Sequence, residues 1–373
     1  MKHSNKAPER IVVKVGTSSL VSENGSLDRV KMTSLVEQLA SLKRQGKDVV
    51  LVSSGAIRAG MERLGFESRP VNIPDQQATA AVGQSVLMQT YAELFAVSEI
   101  IPAQVLVTRD DFHNRDRYLN ARNTLNTLIA FGCLPIVNEN DTVATDEIKF
   151  GENDTLSALV AAGVDADLLI NLSDVDGLYD ADPRVDGDCN LIDEVSEITT
   201  EIEDLAGGTR GACGSGGMKS KIEAAKIAVK SGVRMVIANA NRPDVITKIV
   251  AGENVGTRFL SSEHELNHRK RWIAFGSAIK GSIIINEGAK TMLTKGGKSL
   301  LAAGIMDCVG SFAVGDPVMV VDEKDQYIAR GRTNYSAEEI MQIRGKHSSE
   351  IEAVLGYKGL DEVIHRDNLV LEI

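Results

Sequence analysis

Between Ile11 and Ala238 the apolar positions of the chain switch repeatedly between two patterns. Ile11–Val15 is a short apolar run with β-branched residues, and Val49–Val52 is a second. Between them Met32, Leu35, Val36 and Leu39 recur at helical spacing, and Gly46 follows where a helix would stop. Ser53-Ser54-Gly55 then leads into another helix, and Ala78, Ala81, Val82, Ser85, Leu94 and Phe95 fall on a longer one. Further strands are expected at Ile101–Val107, Leu134–Val137, Leu168–Leu172 and Arg234–Ala238. Helices fit at Arg117–Ala130, Thr155–Gly163 and Met218–Ser231. Strands without clean alternation, separated by helices, indicate a mostly parallel sheet covered on both faces, an α/β three-layer sandwich.

Beyond Gly256 the texture changes. Ser262–Arg271 is charged and polar and reads as a linker. Short β-rich pieces follow at Ser282–Ile285, Pro317–Val321 and Tyr327–Gly331, punctuated by glycines. They predict a small, mostly β domain. The expected division is residues 1–261, a linker over 262–280, and a second domain with a C-terminal tail over 281–373.

Composition narrows the class. A chain of 373 residues suggests two domains. No apolar run approaches the roughly 20 residues that span a bilayer, and the polar start MKHSNKAPER does not resemble a signal peptide. The scattered Cys133, Cys189, Cys213 and Cys308 lack metal-site spacing and read as reduced thiols of a cytoplasmic protein. The histidines show no metal-ligand spacing either. A net charge of −11 argues against general affinity for nucleic acid.

The chemistry lies in where polar residues fall. Ligands of a parallel α/β sheet bind beyond the carboxyl ends of its strands. The first strand ends in Lys14-Val15-Gly16-Thr17-Ser18, the second in Ser53-Ser54-Gly55. Later ones end in Asn138-Glu139-Asn140-Asp141 and Asn171-Leu172-Ser173-Asp174, and Phe150–Thr155 (FGENDT) leads into a helix. Singly, each has an ordinary account as a snorkelling lysine, a helix cap or a polar turn. Jointly they converge on one end of one sheet.

To these is added Gly207–Lys221, GGTRGACGSGGMKSK, a glycine-dense loop running into a helix that carries Lys219 and Lys221. Such a loop lets backbone approach an anion, and a helix start offers free N–H groups. Alone, it fits equally a surface loop with a solvated lysine pair. With the strand ends it suits phosphoryl transfer, which needs alignment and positive charge more than covalent chemistry. Lys14 and Lys221 would supply charge, Gly16, Gly216 and Gly217 backbone N–H groups, and Asp154 a counter-charge for the lysines. Asn138, Asp141, Asn153 and Ser54 would bind a polar, amine-bearing substrate. These groups are expected to line an open cleft, so that removing one changes stability little.

The segments KVGTSSL, VSSGAIRAG, NENDTV, FGENDTLSA, SDVDGLYDADPR and GSGGMKSKI occur in this order. The set resembles the amino-acid kinase family, and the C-terminal part, with its HRDN, resembles the PUA domain. The resemblance implies transfer of the ATP γ-phosphate to the side-chain carboxylate of L-glutamate, giving the first intermediate of proline biosynthesis. It implies that Lys14, Lys221 and Asp154 are catalytic and that Ser54, Asp141 and Asn153 bind glutamate. ATP would be held by Lys14, Gly16, Ser173, Asp174 and the run Ser215, Gly216, Gly217, Met218, Lys219, Ser220 and Lys221. Ser220 departs slightly from the family, which often has Thr there. Mg2+ would bridge the phosphate oxygens with few protein ligands. The family also implies a homo-oligomer and feedback inhibition by L-proline. Other members of the family, acting on acetylglutamate, aspartate, carbamate or a nucleoside monophosphate, remain open, as does an amino-acid sensor without turnover. An RNA-binding role for the PUA-like domain is disfavoured, because acidic residues slightly outnumber basic ones from Glu263 onward.

Overall fold

A computed structural model describes residues 7–22, 25–144, 153–181, 189–207, 215–261, 279–357 and 359–371. They form two compact units. The first takes in the described residues up to Ser261 apart from Phe112–Tyr118, and the second takes in Phe112–Tyr118 and the described residues from Ile279 onward. The expected linker falls almost wholly outside the described residues.

The first unit is built on an eight-stranded sheet. Its strands are β1 (Arg10–Val15), β2 (Asp48–Ser53), β3 (Pro102–Val107), β4 (Leu134–Glu139), β5 (Leu168–Ser173), β6 (Glu194–Val195), β7 (Arg234–Asn239) and β8 (Thr257–Phe259). They lie in the order β3-β4-β2-β1-β5-β7-β8-β6. Every pairing is parallel except that of β7 with β8. The six longer strands match the expected ones to within two residues. The two short ones were not expected, because two or three residues show no period.

The helices of this unit are α1 (Arg29–Arg44), α2 (Ala56–Leu64), α3 (Ile73–Ala96), α4 (Arg109–His113), α5 (Arg115–Ala130), α6 (Asn153–Gly163), α7 (Thr200–Gly207), α8 (Ser215–Lys230) and α9 (Val245–Ala251). Asp28 caps α1 by accepting from the N–H groups of Val30 and Lys31. The helix then buries Met32, Leu35, Val36, Leu39 and Leu42 in one core with Ile11, Val13 and Val15 of β1, Val49 and Leu51 of β2, and residues of α3 and α9. With Val13 and Val15 turned into that core, the pleat turns Lys14 to the opposite face.

The residues expected on the longer helix do fall on α3, although most of them are not the ones it buries. Ala78, Ala81 and Ser85 are exposed, while Thr79, Ala80, Gly83, Leu87, Tyr91 and Phe95 are buried. The reason is the approach of α2. A Cβ on Gly83 would lie 1.7 Å from the Ala56 carbonyl oxygen and 2.3 Å from the Gly60 nitrogen. Two backbones meet where two glycines allow it, and this sets the face that α3 turns inward.

The second unit has a five-stranded sheet formed by β9 (Gly281–Ile285), β11 (Ile305–Gly310), β12 (Pro317–Asp322), β13 (Tyr327–Arg332) and β15 (Leu369–Leu371), in the order β11-β9-β12-β13-β15. A separate antiparallel pair joins β10 (Leu300–Leu301) and β14 (Glu362–Ile364). Among the described residues three short helices, α10 (Glu287–Thr294), α11 (Ala337–Ile343) and α12 (Ile351–Leu355), complete it around a core of its own. The expected strands are present; β11 escaped notice because Met306 and Val309 face solvent and blur its alternation.

Replacing Gly83 with alanine is expected to force α2 and α3 apart and cost about 1–3 kcal/mol or more. The midpoint of urea unfolding should fall accordingly, and an unchanged midpoint would contradict the close crossing.

Candidate active site

At the carboxyl edge of the large sheet lies a cleft of about 450 Å³. Its walls come from the ends of β1, β2 and β4, the start of α6 and the first turns of α8. Lys14 reaches it from β1. Asp154 stands in the first turn of α6, where the helix dipole favours a carboxylate. Lys221 lies two turns into α8, on the same side as Gly217 and Ser220.

These side chains form one buried cluster. Lys14 Nζ is 2.5 Å from Asp154 Oδ1, and Lys221 Nζ is 3.2 Å from Asp154 Oδ2. Each oxygen also accepts from a neutral donor. Asn171 Nδ2 donates to Oδ1 at 3.0 Å, and Ser220 Oγ donates to Oδ2 at 2.6 Å. Lys221 further donates to the Gly217 carbonyl at 3.2 Å. Asp154 is 2 % exposed, Lys14 6 % and Lys221 8 %. All three line the cleft as expected, but they are buried in its wall rather than open to solvent. The reason is that α6 is buried almost throughout, from Leu156 to Gly163, and Asp154 in its first turn goes in with that body. Removing one member would strand a buried charge, so stability as well as chemistry depends on the cluster.

Burial alone would raise the Asp154 carboxyl above its ordinary value of 3.8. The charges of Lys14 and Lys221, with hydrogen bonds from Lys14 and Ser220, outweigh it and hold the group at about 2. Burial pulls the Lys14 ammonium down, and Asp154 partly restores it. With two ammonium groups against one carboxylate, the cluster carries a surplus positive charge in a desolvated place.

A second, neutral network adjoins it. Asn153 Nδ2 lies within hydrogen-bond reach of Ser53 O (2.9 Å), Ser54 Oγ (2.8 Å) and Asn138 Oδ1 (3.0 Å). Asn138 in turn donates to Gln84 Oε1 at 2.9 Å. Beneath, Ser53 Oγ and the Tyr91 hydroxyl share a buried bond of 2.9 Å. Asp141 borders the same cleft, and burial pushes its carboxyl up to about 6 against the opposing charge of Arg69.

Of the residues singled out in the sequence, the cleft gathers Lys14, Gly16, Ser54, Asn138, Asp141, Asn153, Asp154, Gly217, Ser220 and Lys221. Ser173 is buried at the end of β5 and donates to Asp174 Oδ1 at 3.0 Å. Asp174 is exposed, although its charge still acts on Lys14. Lys219 faces solvent, two residues from Lys221 and so on another side of α8. Met218 is half-buried and does not join the cleft wall. Ser215 and Gly216 begin α8, and residues 208–214 of the glycine-dense loop lie outside the described residues. Sequence reasoning named Asn171 at a strand end without giving it a role, and missed Gln84 and Tyr91 as supports. Of these only Asn171 carried a signal, as an amide inside an otherwise apolar strand.

A buried carboxylate gripping two lysines places surplus positive charge at the strand ends of a parallel sheet, where ligands of such sheets bind. Residues 9–239 match the amino acid kinase family. The chain belongs to the amino acid kinase family. Residues 281–355 match the PUA domain, so this kinase carries a PUA domain after its sheet domain. The chain is 51 % identical over 362 residues to the glutamate 5-kinase of Caldanaerobacter subterraneus subsp. tengcongensis, covering 97 % of each chain. It is 50 % identical over 372 residues to that of Carboxydothermus hydrogenoformans, covering 100 % of both. The glutamate 5-kinase of Shewanella oneidensis is 47 % identical over 371 residues, again with 100 % of both covered. The family's use of ATP fits a cleft with surplus positive charge.

The sign of the Asp154 shift gives a prediction. A carboxyl held near 2 stabilises the fold fully above about pH 4, by on the order of 2 kcal/mol, and loses that contribution as the pH falls toward 2. Asp154→Asn should therefore be less stable than the wild type at neutral pH, with the gap shrinking as urea unfolding is repeated below about pH 4. A gap that ignores pH would contradict the ionised cluster.

Proposed function

We propose that this protein is an ATP-dependent kinase that phosphorylates the side-chain carboxylate of L-glutamate, giving L-glutamyl 5-phosphate, the first step of proline biosynthesis. The observation that carries this reading is the Asp154 carboxylate fixed between Lys14 and Lys221. The near-full-length likeness to glutamate 5-kinases supports the choice of substrate.

In this reading glutamate enters with its side-chain carboxylate toward the two lysines. A carboxylate oxygen attacks the γ-phosphorus in line, and the bond to the β–γ bridging oxygen breaks. The electron pair leaves on ADP. The nucleophile is already ionised, so no general base is required. Lys14 and Lys221 approach the moving phosphoryl group and offset the charge on its oxygens. Asp154, Asn171 and Ser220 hold both ammonium groups in place beforehand, so that little reorganisation accompanies the reaction. Gly16 and the Gly216–Gly217 start of α8 would lie along the phosphates, with Ser173 and Asp174 toward the nucleotide. Ser54 and Asn153 would hold the glutamate, and Asp141 would pair with its α-ammonium group.

Mg2+ on the nucleotide would supply neutralisation of the phosphate oxygens. Among the described residues no group of three or more His, Cys, Asp or Glu is gathered to hold a metal, and both Asp154 oxygens are engaged. That donor set fits an ion carried mainly by phosphate oxygens.

The same reading takes residues 1–261 as the kinase domain and 281–373 as an appended module. L-proline, with an α-carboxylate and a cationic nitrogen, fits the glutamate end of the cleft as a feedback inhibitor, and a cytoplasmic homo-oligomer follows the family. No described helix is long and apolar enough to cross a membrane.

The test is an assay with ATP, Mg2+ and hydroxylamine, which converts an acyl phosphate to a hydroxamate. Hydroxamate should form with L-glutamate far faster than with N-acetylglutamate, aspartate or UMP. Lys14→Met and Lys221→Met should each lower kcat on the order of 10²-fold or more. A preference for acetylglutamate would overturn the substrate. Near-normal kcat with only a raised KM for ATP would reduce the lysines to binding groups.

A further inference from the structure

One face of α3 packs on the sheet next to the cleft. Leu134 and Ile136 of β4 lie in one core with Leu87 and Tyr91 of α3, and the alternation of the strand carries Asn138 to that same face. Gln84 stands one turn before Leu87, on the same side of the helix. Gln104 of β3 pairs with Ile136, so it too is turned toward α3. Gln84 is not among the described residues that line the cleft, whereas Asn138 and Asn153 are.

Four side-chain amides join these elements in a chain. Gln84 Nε2 donates to Gln104 Oε1 at 3.1 Å, Asn138 Nδ2 donates to Gln84 Oε1 at 2.9 Å, and Asn153 Nδ2 lies 3.0 Å from Asn138 Oδ1. An amide can be turned end for end, so the direction of such a chain is set by neighbours that cannot turn. Two backbone groups do this. The Glu139 N–H donates to Asn138 Oδ1 at 2.9 Å, and the Ser53 carbonyl accepts from Asn153 Nδ2 at 2.9 Å. Turning Asn138 would set its NH2 group against the Glu139 N–H, and turning Asn153 would set oxygen against oxygen at Ser53. Asn138 is therefore committed to pointing a donor at α3, and it is buried. A buried donor is costly to leave unmatched, and Gln84 Oε1 matches this one.

We propose that Gln84 is a positioning residue for the reaction, acting from outside the cleft. Its side-chain oxygen fixes Asn138, Asn138 fixes the Asn153 amide with its nitrogen inward, and the affinity for the amino-acid substrate follows that orientation. This rests on the glutamate-kinase reading above and extends it to a residue of α3 that touches neither substrate nor nucleotide. The phosphoryl end is insulated from the chain of amides. Asp154, the next residue after Asn153, takes its own orientation from Lys14, Lys221, Asn171 and Ser220. A break at Gln84 is thus felt in glutamate binding and not in the transfer step.

The test compares wild type with Gln84→Glu, Gln84→Met and Gln84→Lys in the full chain. Glutamate keeps an acceptor opposite Asn138, and the Gln104 amide can turn to donate to it. Methionine keeps the stem and removes the acceptor. Lysine sets a donor against a donor. With ATP, Mg2+ and hydroxylamine, the KM for L-glutamate should stay within about two-fold in Gln84→Glu and rise about five-fold or more in Gln84→Met and in Gln84→Lys. In all three kcat and the KM for ATP should stay within about two-fold. Should one of these variants fail to fold, the other two still place acceptor against non-acceptor. Urea midpoints are read alongside, because a merely structural role would lower the midpoint without separating KM from kcat. A KM for glutamate that ignores the acceptor, or a loss that falls on kcat, would overturn the positioning role while wild-type hydroxamate formation upheld the kinase reading. Failure of the wild type to form hydroxamate from glutamate would overturn both.

Discussion

Two lysines cannot share a dry site without an anion between them, and Asp154 is that anion here. Its position at the start of α6 gives it a favourable dipole, and its two oxygens divide the work between Lys14 and Lys221. Asn171 and Ser220 each add one neutral donor, so the carboxylate plane is fixed from both sides. The arrangement costs desolvation of three charges, which their mutual attraction must offset. What it yields is positive charge set in place before the substrate arrives. Phosphoryl transfer asks the protein for little else.

The scaffold supplies the rest through simple geometry. The pleat of β1 sends Val13 and Val15 to one face and Lys14 to the other. Parallel pairing of β1 with β2 and β5, and of β2 with β4, brings their carboxyl ends to one edge. Helical periodicity puts Gly217, Ser220 and Lys221 on one side of α8 and Lys219 on another. The close crossing of α2 and α3 at Gly60 and Gly83 sets α2 beside Ser54 and carries Gln84 to within reach of Asn138. Neutral amides and hydroxyls there line the cleft without adding charge.

Much of this was legible in the sequence, for identifiable reasons. Lys14, Ser54, Asn138 and Asp141 follow or end apolar runs that can only be buried strands, and Asp154 opens an apolar helix. The rule that ligands gather at carboxyl ends joined them before any contact was known. The depth of Asp154 was not legible, because a carboxylate at a helix start reads as an exposed cap until a second lysine closes over it. Asn171, Gln84 and Tyr91 support the site from inside elements whose periodicity concerns packing alone. The reversal at β8 left no trace, since a three-residue strand has no period.

If Asp154 makes the lysines one device, their contributions to kcat must be coupled. The most direct measurement is a double-mutant cycle on kcat, with Lys14→Met and Lys221→Met made singly and together and assayed at saturating ATP and glutamate. Loss of either lysine frees one oxygen of Asp154 and misplaces the other lysine. The double variant should therefore lose far less than the product of the two single losses. Losses that multiply in full would mean two independent cations, and would contradict the role given to the carboxylate between them.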